Sequence, residues 1–215
     1  MKQVTNRCTQ HLEKLQRGEV ELLNGVDMEL IEIKLKLTPL VQEITKVIQT
    51  GAKSSRLAPT AFFIMKFLDL NALDQLFRAL SWAAQAMIEY ERVETEKKLL
   101  IHQSTLHECL LAPMNLISIL ICGEYLKRHD IKYFLTPNEL SPLIAIYKLR
   151  LNMMRQLVQP VVMHFFEEKA ELYLTIADKY DKEFSRLLEG VLCVLAANSF
   201  FNTNSGFDGA SLRQV

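Results

Sequence analysis

Along most of the chain, the hydrophobic positions recur with the period of an α-helix. After Asn71, apolar residues follow one another at helical spacing: Leu73, Leu76, Phe77, Leu80, Ala84 and Met87. The same holds near the other end of the chain for Phe184, Leu187, Leu188, Val191, Leu192 and Leu195. Such a stripe lies on one face of a helix and is buried against other elements. The pattern therefore predicts amphipathic helices that pack around a shared core.

One segment, residues 19–37, departs from this pattern. From Ile31 to Leu37 apolar and charged residues alternate, which places four apolar side chains on one face of a strand. Asn24-Gly25 is a strong signal for a tight hairpin turn, because both residues tolerate positive φ. The alternation favours a small β-hairpin within residues 19–37, and a short helix is the alternative.

Capping and proline signals predict where several helices begin and end. Thr5 can cap a first helix, and Gly18 occupies the position where that helix would stop. Thr38-Pro39 has the form of a helix start, with proline in the first helical position, and Gly51 closes the helix that follows. Pro113 is interpreted in the same way, as the start of a very apolar helix.

The expected architecture is a mainly α, helical-bundle-like domain that spans residues 1–197. Glycine and proline number only 7 and 6, which is few for a fold rich in strands and turns. At ordinary helix lengths we expect about six to eight helices, with the small β-hairpin near residues 19–37. The Asn-, Ser- and Gly-rich residues 198–215 predict a flexible C-terminal tail.

Charge and composition narrow the classes of partner and compartment. Lys+Arg and Asp+Glu both number 25, so the chain lacks the positive field that attracts nucleic acid. Its longest uncharged apolar stretch is shorter than the roughly 20 residues of a membrane-spanning helix, and the N-terminal residues have no apolar core of a signal peptide. The four cysteines form no CxxC pair and are expected to be buried thiols. These features predict a soluble, cytoplasmic protein.

The segment LLIHQSTLHECLL, residues 99–111, invites a metal-site interpretation because it concentrates histidine, glutamate and cysteine. On a helix, however, His102 and His107 lie about 140° apart around the axis, and His107 and Cys109 lie about 200° apart. Neither pair can hold one ion as an i, i+4 pair does. We therefore expect no metal site in this segment.

The same segment also contains a capping-box pattern. Thr105 and Glu108 fit T-x-x-E, the arrangement in which the glutamate reaches back to the start of a helix. This assigns both residues a structural role. It predicts a bend at residues 102–104 between two apolar helices.

No recognisable catalytic motif is present in the sequence. The chain has no G-x-S-x-G, no G-x-x-x-x-G-K-[ST] and no G-x-G-x-x-G, so neither a nucleophile elbow nor a phosphate-binding loop is indicated. We expect no enzymatic activity, no cofactor and no bound metal.

Two groups of residues suggest protein binding. Methionines near Pro160 could line an adaptable groove, since thioethers repack around varied apolar partners. Aromatic residues in the polar tail could anchor in a partner's pocket. The candidate partner-binding residues are Met153, Met154, Met163, Phe200, Phe201 and Phe207.

The sequence thus favours a non-enzymatic interaction module, an adaptor or chaperone-like subunit of a larger hetero-oligomeric protein assembly such as a secretion or transport machine. The strand edge of the predicted hairpin is a further candidate surface for a protein partner. The alternative is a small-molecule or lipid carrier with a cavity between helices.

Overall fold

A computed structural model describes residues 1–53, 57–93, 96–122, 160–161 and 163–177, and the architecture over these ranges is mainly α-helical with one small β-hairpin. This confirms the predicted fold class. The elements, in chain order, are α1 (Lys2–Arg17), β1 (Leu22–Leu23), β2 (Val26–Asp27), α2 (Met28–Lys53), α3 (Leu57–Asp69), α4 (Ala72–Val93), α5 (Glu96–Cys122), a π-helical segment (Met163–Glu168) and α6 (Ala170–Ala177).

Helix α1 ends as predicted but begins earlier than predicted. Gly18 adopts the left-handed conformation at φ 70°, and the N–H groups of Gly18 and Glu19 bond back to Leu15 and Lys14. This is a Schellman cap, which requires a residue that tolerates positive φ. Thr5 is not the N-cap, because it lies inside the helix and its hydroxyl donates to the Lys2 carbonyl at 3.1 Å.

The hairpin is present, but it is shorter than the predicted segment 19–37. β1 and β2 pair antiparallel, with Leu22 opposite Asp27 and Leu23 opposite Val26. Asn24 and Gly25 form the turn with φ values of 54° and 80°, as a type I′ turn requires. The turn signal was therefore correct, and only two residues on each side of it are paired.

The interpretation of Ile31–Leu37 as a strand was wrong, because these residues belong to α2. Asp27 caps this helix: its Oδ1 accepts the N–H of Leu30 at 2.9 Å, so the helix already begins at Met28. Pro39 lies inside α2, and Thr38-Pro39 is not a helix start. The buried residues of α2 form a helical stripe that continues past the proline, namely Leu30, Ile33, Leu37, Val41 and Ile48.

The predicted bend at residues 102–104 is also wrong, since α5 is helical throughout Glu96–Cys122. The Thr105 hydroxyl donates to the Ile101 carbonyl one turn earlier at 3.0 Å, which is an interaction within a helix and not an N-cap. Glu108 pairs with Lys34 of α2 at 2.8 Å instead of capping α5. Pro113 lies inside this helix and does not open a new one.

Helix α4 lies at the centre of the packing and contacts α1, α3, α5 and α6, while α2 packs against α5. Its buried positions include several alanines, which allow neighbouring helices to approach closely. Among the described helices, none combines the length and apolar content needed to cross a bilayer.

Candidate functional site

The most extensive polar cluster in the described structure is a buried network that joins the hairpin to three helices. It contains His11 from α1, Asp27 from β2, Trp82 and Tyr90 from α4, and His102 from α5, and each of these residues is at most 2% exposed. Asp27 accepts hydrogen bonds from His11 Nε2 at 2.8 Å and from the Tyr90 hydroxyl. Its own backbone N–H donates to His102 Nε2 at 3.0 Å.

The contacts of Trp82 define which atoms of His11 donate and accept hydrogen bonds. Trp82 Nε1 can only donate, and it points at His11 Nδ1 at 3.1 Å, so His11 carries its hydrogen on Nε2 and donates it to Asp27. Burial would raise the pKa of Asp27, but hydrogen bonds from His11, Tyr90 and the Leu30 N–H outweigh it and lower this pKa to about 2. The network therefore holds a buried carboxylate with several donors.

Although it resembles a catalytic acid–base cluster, this network is closed to substrates. His11, Asp27 and His102 are each 0% exposed, so no reactant can come within hydrogen-bond distance of them. The arrangement instead fixes the short hairpin to the helices that surround it. We therefore assign these residues a structural role.

An open site lies on the other side of Trp82. A cleft of about 760 Å³, here called the α4 cleft, lies between α1, α4, the end of α3 and the π-helical segment. It is lined by Thr9, Leu12, Leu68, Asp69, Asn71, Leu73, Asp74, Phe77, Arg78, Ser81, Trp82, Gln85, Pro160, Met163, His164 and Lys169. Its volume is in the range that accommodates small organic ligands.

Two hydrogen-bonding side chains, Ser81 and His164, meet at one wall of the α4 cleft, and the buried Tyr173 bonds to them. The Nε2 atom of His164 lies 2.8 Å from the Tyr173 hydroxyl and 3.3 Å from Ser81 Oγ. The His164 ring also stacks on Phe77, with ring centres 4.4 Å apart and planes 12° from parallel. His164 lies on a π-helical segment, and such departures from α-helical geometry are frequent at functional sites.

The histidine of this wall is neutral at physiological pH. Burial, with a further contribution from the positive charge of Lys169, lowers the pKa of His164 to about 4. Burial raises the pKa of the Tyr173 hydroxyl, which therefore keeps its proton. Ser81 is consequently not paired with a base of suitable strength, and the wall is suited to hydrogen bonding more than to nucleophilic catalysis.

The depressed pKa of His164 predicts a pH-dependent stability. Because the folded-state pKa is about 4 and the ordinary value is 6.5, this contribution is fully present above pH 6.5. It is lost as the pH falls toward 4, and we expect it to amount to about 3 kcal/mol. Urea unfolding of the wild type and of His164→Phe between these pH values measures it. The phenylalanine variant cannot titrate, so an equal loss of stability in both proteins would contradict the assignment.

A second cleft of about 560 Å³ lies between α2 and α5. Gln42, Gln49, Lys46 and Glu108 contribute to its lining. Among its lining residues that the structure describes, no group of side chains forms a hydrogen-bonded cluster like that of Ser81, His164 and Tyr173. We therefore regard the α4 cleft as the better ligand site.

Of the partner-binding residues predicted from the sequence, Met163 is the one that the structure describes. It lines the α4 cleft and is 38% exposed. The remaining predicted residues lie outside the described part of the chain: Met153, Met154, Phe200, Phe201 and Phe207. The predicted tail, residues 198–215, lies outside it as well.

The described part of the chain includes two of the cysteines that were predicted to be buried thiols. Cys8 and Cys109 are buried thiols as predicted, and burial raises the pKa of each to about 12. Within the described ranges, no three His, Cys, Asp or Glu side chains are grouped so that they could hold a metal ion.

The residues that form the wall of the α4 cleft were not singled out from the sequence, nor was Lys169 in its lining. Ser81 and His164 are 83 positions apart, so no local motif connects them. Lys169 follows a charged pair in the sequence and resembles an ordinary surface residue. In the sequence, the one signal for this site was His164, which follows Met163 and is close to Pro160.

Comparison with known proteins yields no match: no protein-family model, no curated protein and no solved structure is similar to this chain. The geometry of the chain is therefore the basis of its proposed function.

Proposed function

We propose that this chain is a non-enzymatic protein-interaction module, an adaptor or chaperone-like subunit of a larger cytoplasmic assembly, and that it binds its partner through α3. The observation that carries the proposal is the apolar character of both sides of this helix. Ile64 and Phe67 are buried in the core, whereas Phe62 and Met65 on the opposite side are 63% and 39% exposed.

A surface helix ordinarily presents polar residues to water and apolar residues to the core. The outer side of α3 instead carries Phe62 and Met65, and Leu70 follows just beyond the end of the helix at 77% exposure. We call these three residues the α3 face. Clustered apolar groups of this kind on a surface are typical of sites that bind another protein.

The charged residues beside the α3 face fit the rim of an interface. Lys66 and Asp69 form an ion pair at 3.6 Å, and Lys66 also lies over the Phe62 ring at 5.8 Å from its centre. An apolar centre with a polar rim is the usual anatomy of a protein interface. The partner that best fits is an amphipathic helix of another protein, whose apolar side would cover Phe62 and Met65.

The hairpin edge, which the sequence suggested as a second binding surface, is a weaker candidate. Each strand contributes two paired residues, so it offers few backbone groups for an added strand. Asp27 is also held in the buried network, which anchors β2 to the helices.

The proposal predicts that charges on the α3 face abolish partner binding and leave the fold intact. In affinity purification, we expect the double variant Phe62→Glu, Met65→Glu to recover at most one tenth of the partner that the wild type recovers. The reason is that a buried unpaired charge is strongly unfavourable at an interface. Its unfolding free energy should change by no more than about 0.5 kcal/mol per substitution, since both side chains are exposed.

Leu35→Glu is the matched control, because Leu35 is 66% exposed on α2 and lies outside the α3 face. This variant should retain the partner as the wild type does. Equal retention by the double variant, or an equal loss with Leu35→Glu, would contradict the proposal.

A small-molecule carrier is the second candidate function, and the α4 cleft is the specific observation that favours it. The cleft combines an apolar lining with a few polar groups, as ligand sites usually do. The two functions are compatible, because the α3 face and the wall of the α4 cleft use different residues.

A further inference from the structure

We infer that the α4 cleft binds a small amphipathic organic anion with a single negative charge, whose acidic group pairs with Lys169 and whose apolar or aromatic body packs on Phe77. This inference rests on the carrier function proposed above and is independent of the α3 face. The charges, the apolar lining and the polar wall of the cleft support it.

Of the two cations in the described lining of the cleft, Arg78 is paired and Lys169 is the candidate partner of a ligand. Arg78 is paired with Asp74 at 3.0 Å, and Asp69 is paired with Lys66 at 3.6 Å. Lys169 has no carboxylate partner within the part of the chain that the structure describes, although it is near enough to His164 to lower that residue's pKa. A ligand that enters the cleft thus meets one positive charge that no described carboxylate pairs with, which favours an acidic group.

The same charges argue against ligands with several negative charges. Asp69 and Asp74 both line the cleft and would repel a second acidic group. His164 cannot supply another positive charge near neutral pH, since its pKa is about 4. A polyphosphate would therefore lack the cations that it needs, whereas a monoanion requires only Lys169.

Apolar side chains line the cleft and provide an apolar surface for the rest of the ligand. Phe77 is held in position by its stack on His164 and by an edge contact with Phe165, whose ring centre is 6.0 Å away. Leu73, Trp82 and Met163 extend this surface. Aromatic side chains that are fixed in this way bind aromatic or aliphatic groups at little cost in conformational entropy.

The polar wall gives the ligand an orientation. Ser81 lines the cleft, and its hydroxyl lies 3.3 Å from His164 Nε2. Because this hydroxyl and the neutral imidazole are both uncharged, the wall offers hydrogen-bonding groups without a charge. Gln85 adds an amide in the same lining. An uncharged polar group of the ligand fits here, and its acidic group is expected to lie nearer to Lys169.

A pair of fluorescent probes tests the inference on the full-length protein. Anilinonaphthalene sulfonate is an aromatic anion, and N-phenylnaphthylamine has nearly the same ring system without the charge. We expect one saturable site for the anion and about 3- to 10-fold weaker anion binding in Lys169→Gln, the size typical of losing one charge-assisted contact. Binding of the neutral probe should not change in this variant.

Three further variants make the result specific to the cleft. Lys46→Gln removes a lysine that lines the second cleft and not the α4 cleft, and it should not affect either probe. Met163→Trp fills the cleft from a partly exposed position and should abolish binding of both probes. The double variant Phe62→Glu, Met65→Glu should bind both probes as the wild type does.

Other outcomes would contradict the inferred ligand class, the carrier function or the location of the site. If the neutral probe binds as tightly as the anion and Lys169→Gln has no effect, the cleft binds ligands but the inferred class is wrong. If neither probe binds, both the inference and the carrier function fail. If the double variant at the α3 face loses the signal, the probe reports that surface and the inference about the cleft is overturned.

Discussion

Replacing Asp27 with alanine is expected to lower the free energy of unfolding by about 3–5 kcal/mol. The substitution removes the acceptor of three hydrogen bonds, from His11 Nε2, the Tyr90 hydroxyl and the Leu30 N–H. The side chains of His11 and Tyr90 stay buried, so the loss of their partner is not offset by water. The N-cap of α2 is lost at the same time.

Urea unfolding followed by circular dichroism measures this effect. Asp74→Ala is the matched control, because Asp74 is an exposed carboxylate in an ion pair with Arg78. We expect the control to cost at most about 1 kcal/mol. An Asp27→Ala protein that is as stable as Asp74→Ala would show that the network does not hold the hairpin in place.

The pH dependence of stability provides an independent measure of the same carboxylate. The pKa of Asp27 is lowered from 3.8 to about 2, so its contribution is present above pH 3.8 and is lost as the pH falls toward 2. The expected loss is about 2 kcal/mol. This window lies below that of His164, which separates the two groups, and Asp27→Asn should not show the loss.

The second large effect is expected from Leu37→Ala, which should destabilise the protein by about 3–4 kcal/mol. Leu37 is fully buried in the stripe that α2 turns toward the core. Leu35→Ala should change the unfolding free energy by no more than about 0.5 kcal/mol, because Leu35 is 66% exposed. Both values come from urea unfolding under identical conditions.

This pair of variants distinguishes a helix from a strand. In a strand, Leu35 and Leu37 lie on the same face and would be buried or exposed together. On a helix they lie about 200° apart. Similar losses of stability for the two variants would contradict the assignment of these residues to α2.

The features that could be predicted from the sequence are those set by local backbone geometry. Gly18 and Asn24-Gly25 stand where the chain needs positive φ, and the structure places a helix end and a hairpin turn there. The helical spacing after Asn71 likewise predicted the buried face of α4. In these places one short stretch of sequence determines the local conformation.

The wrong predictions arose where two local signals competed. Seven alternating residues favoured a strand, but the apolar stripe that runs from Leu30 to Ile48 extends over a longer range and is helical. Thr38-Pro39 looks like a helix start, yet Asp27 provides an earlier cap through its contact with Leu30. Proline inside a helix is tolerated here because α2 is packed in the core on both sides of it, where Leu37 and Val41 are fully buried.

The two polar clusters could not be predicted from local spacing, because tertiary packing creates them. His11 and Asp27 are 16 positions apart, and Tyr90 is 63 positions from Asp27. The α4 cleft likewise joins Ser81 to His164 across the fold. A single histidine or tyrosine in a helical stretch of sequence does not predict such a cluster, because the cluster forms only when the helices pack against one another.

The central claim, that the α3 face binds another protein, is tested most directly by site-specific cross-linking in cells that produce the protein. A photoreactive phenylalanine analogue at position 62 reports what contacts the α3 face, and the same analogue at position 35 serves as the control on α2. We predict that position 62 cross-links one other protein in high yield and that position 35 does not. Cross-linking of that protein with equal yield from both positions, or cross-linking from position 62 only to a second copy of this chain or to no protein, would contradict the claim.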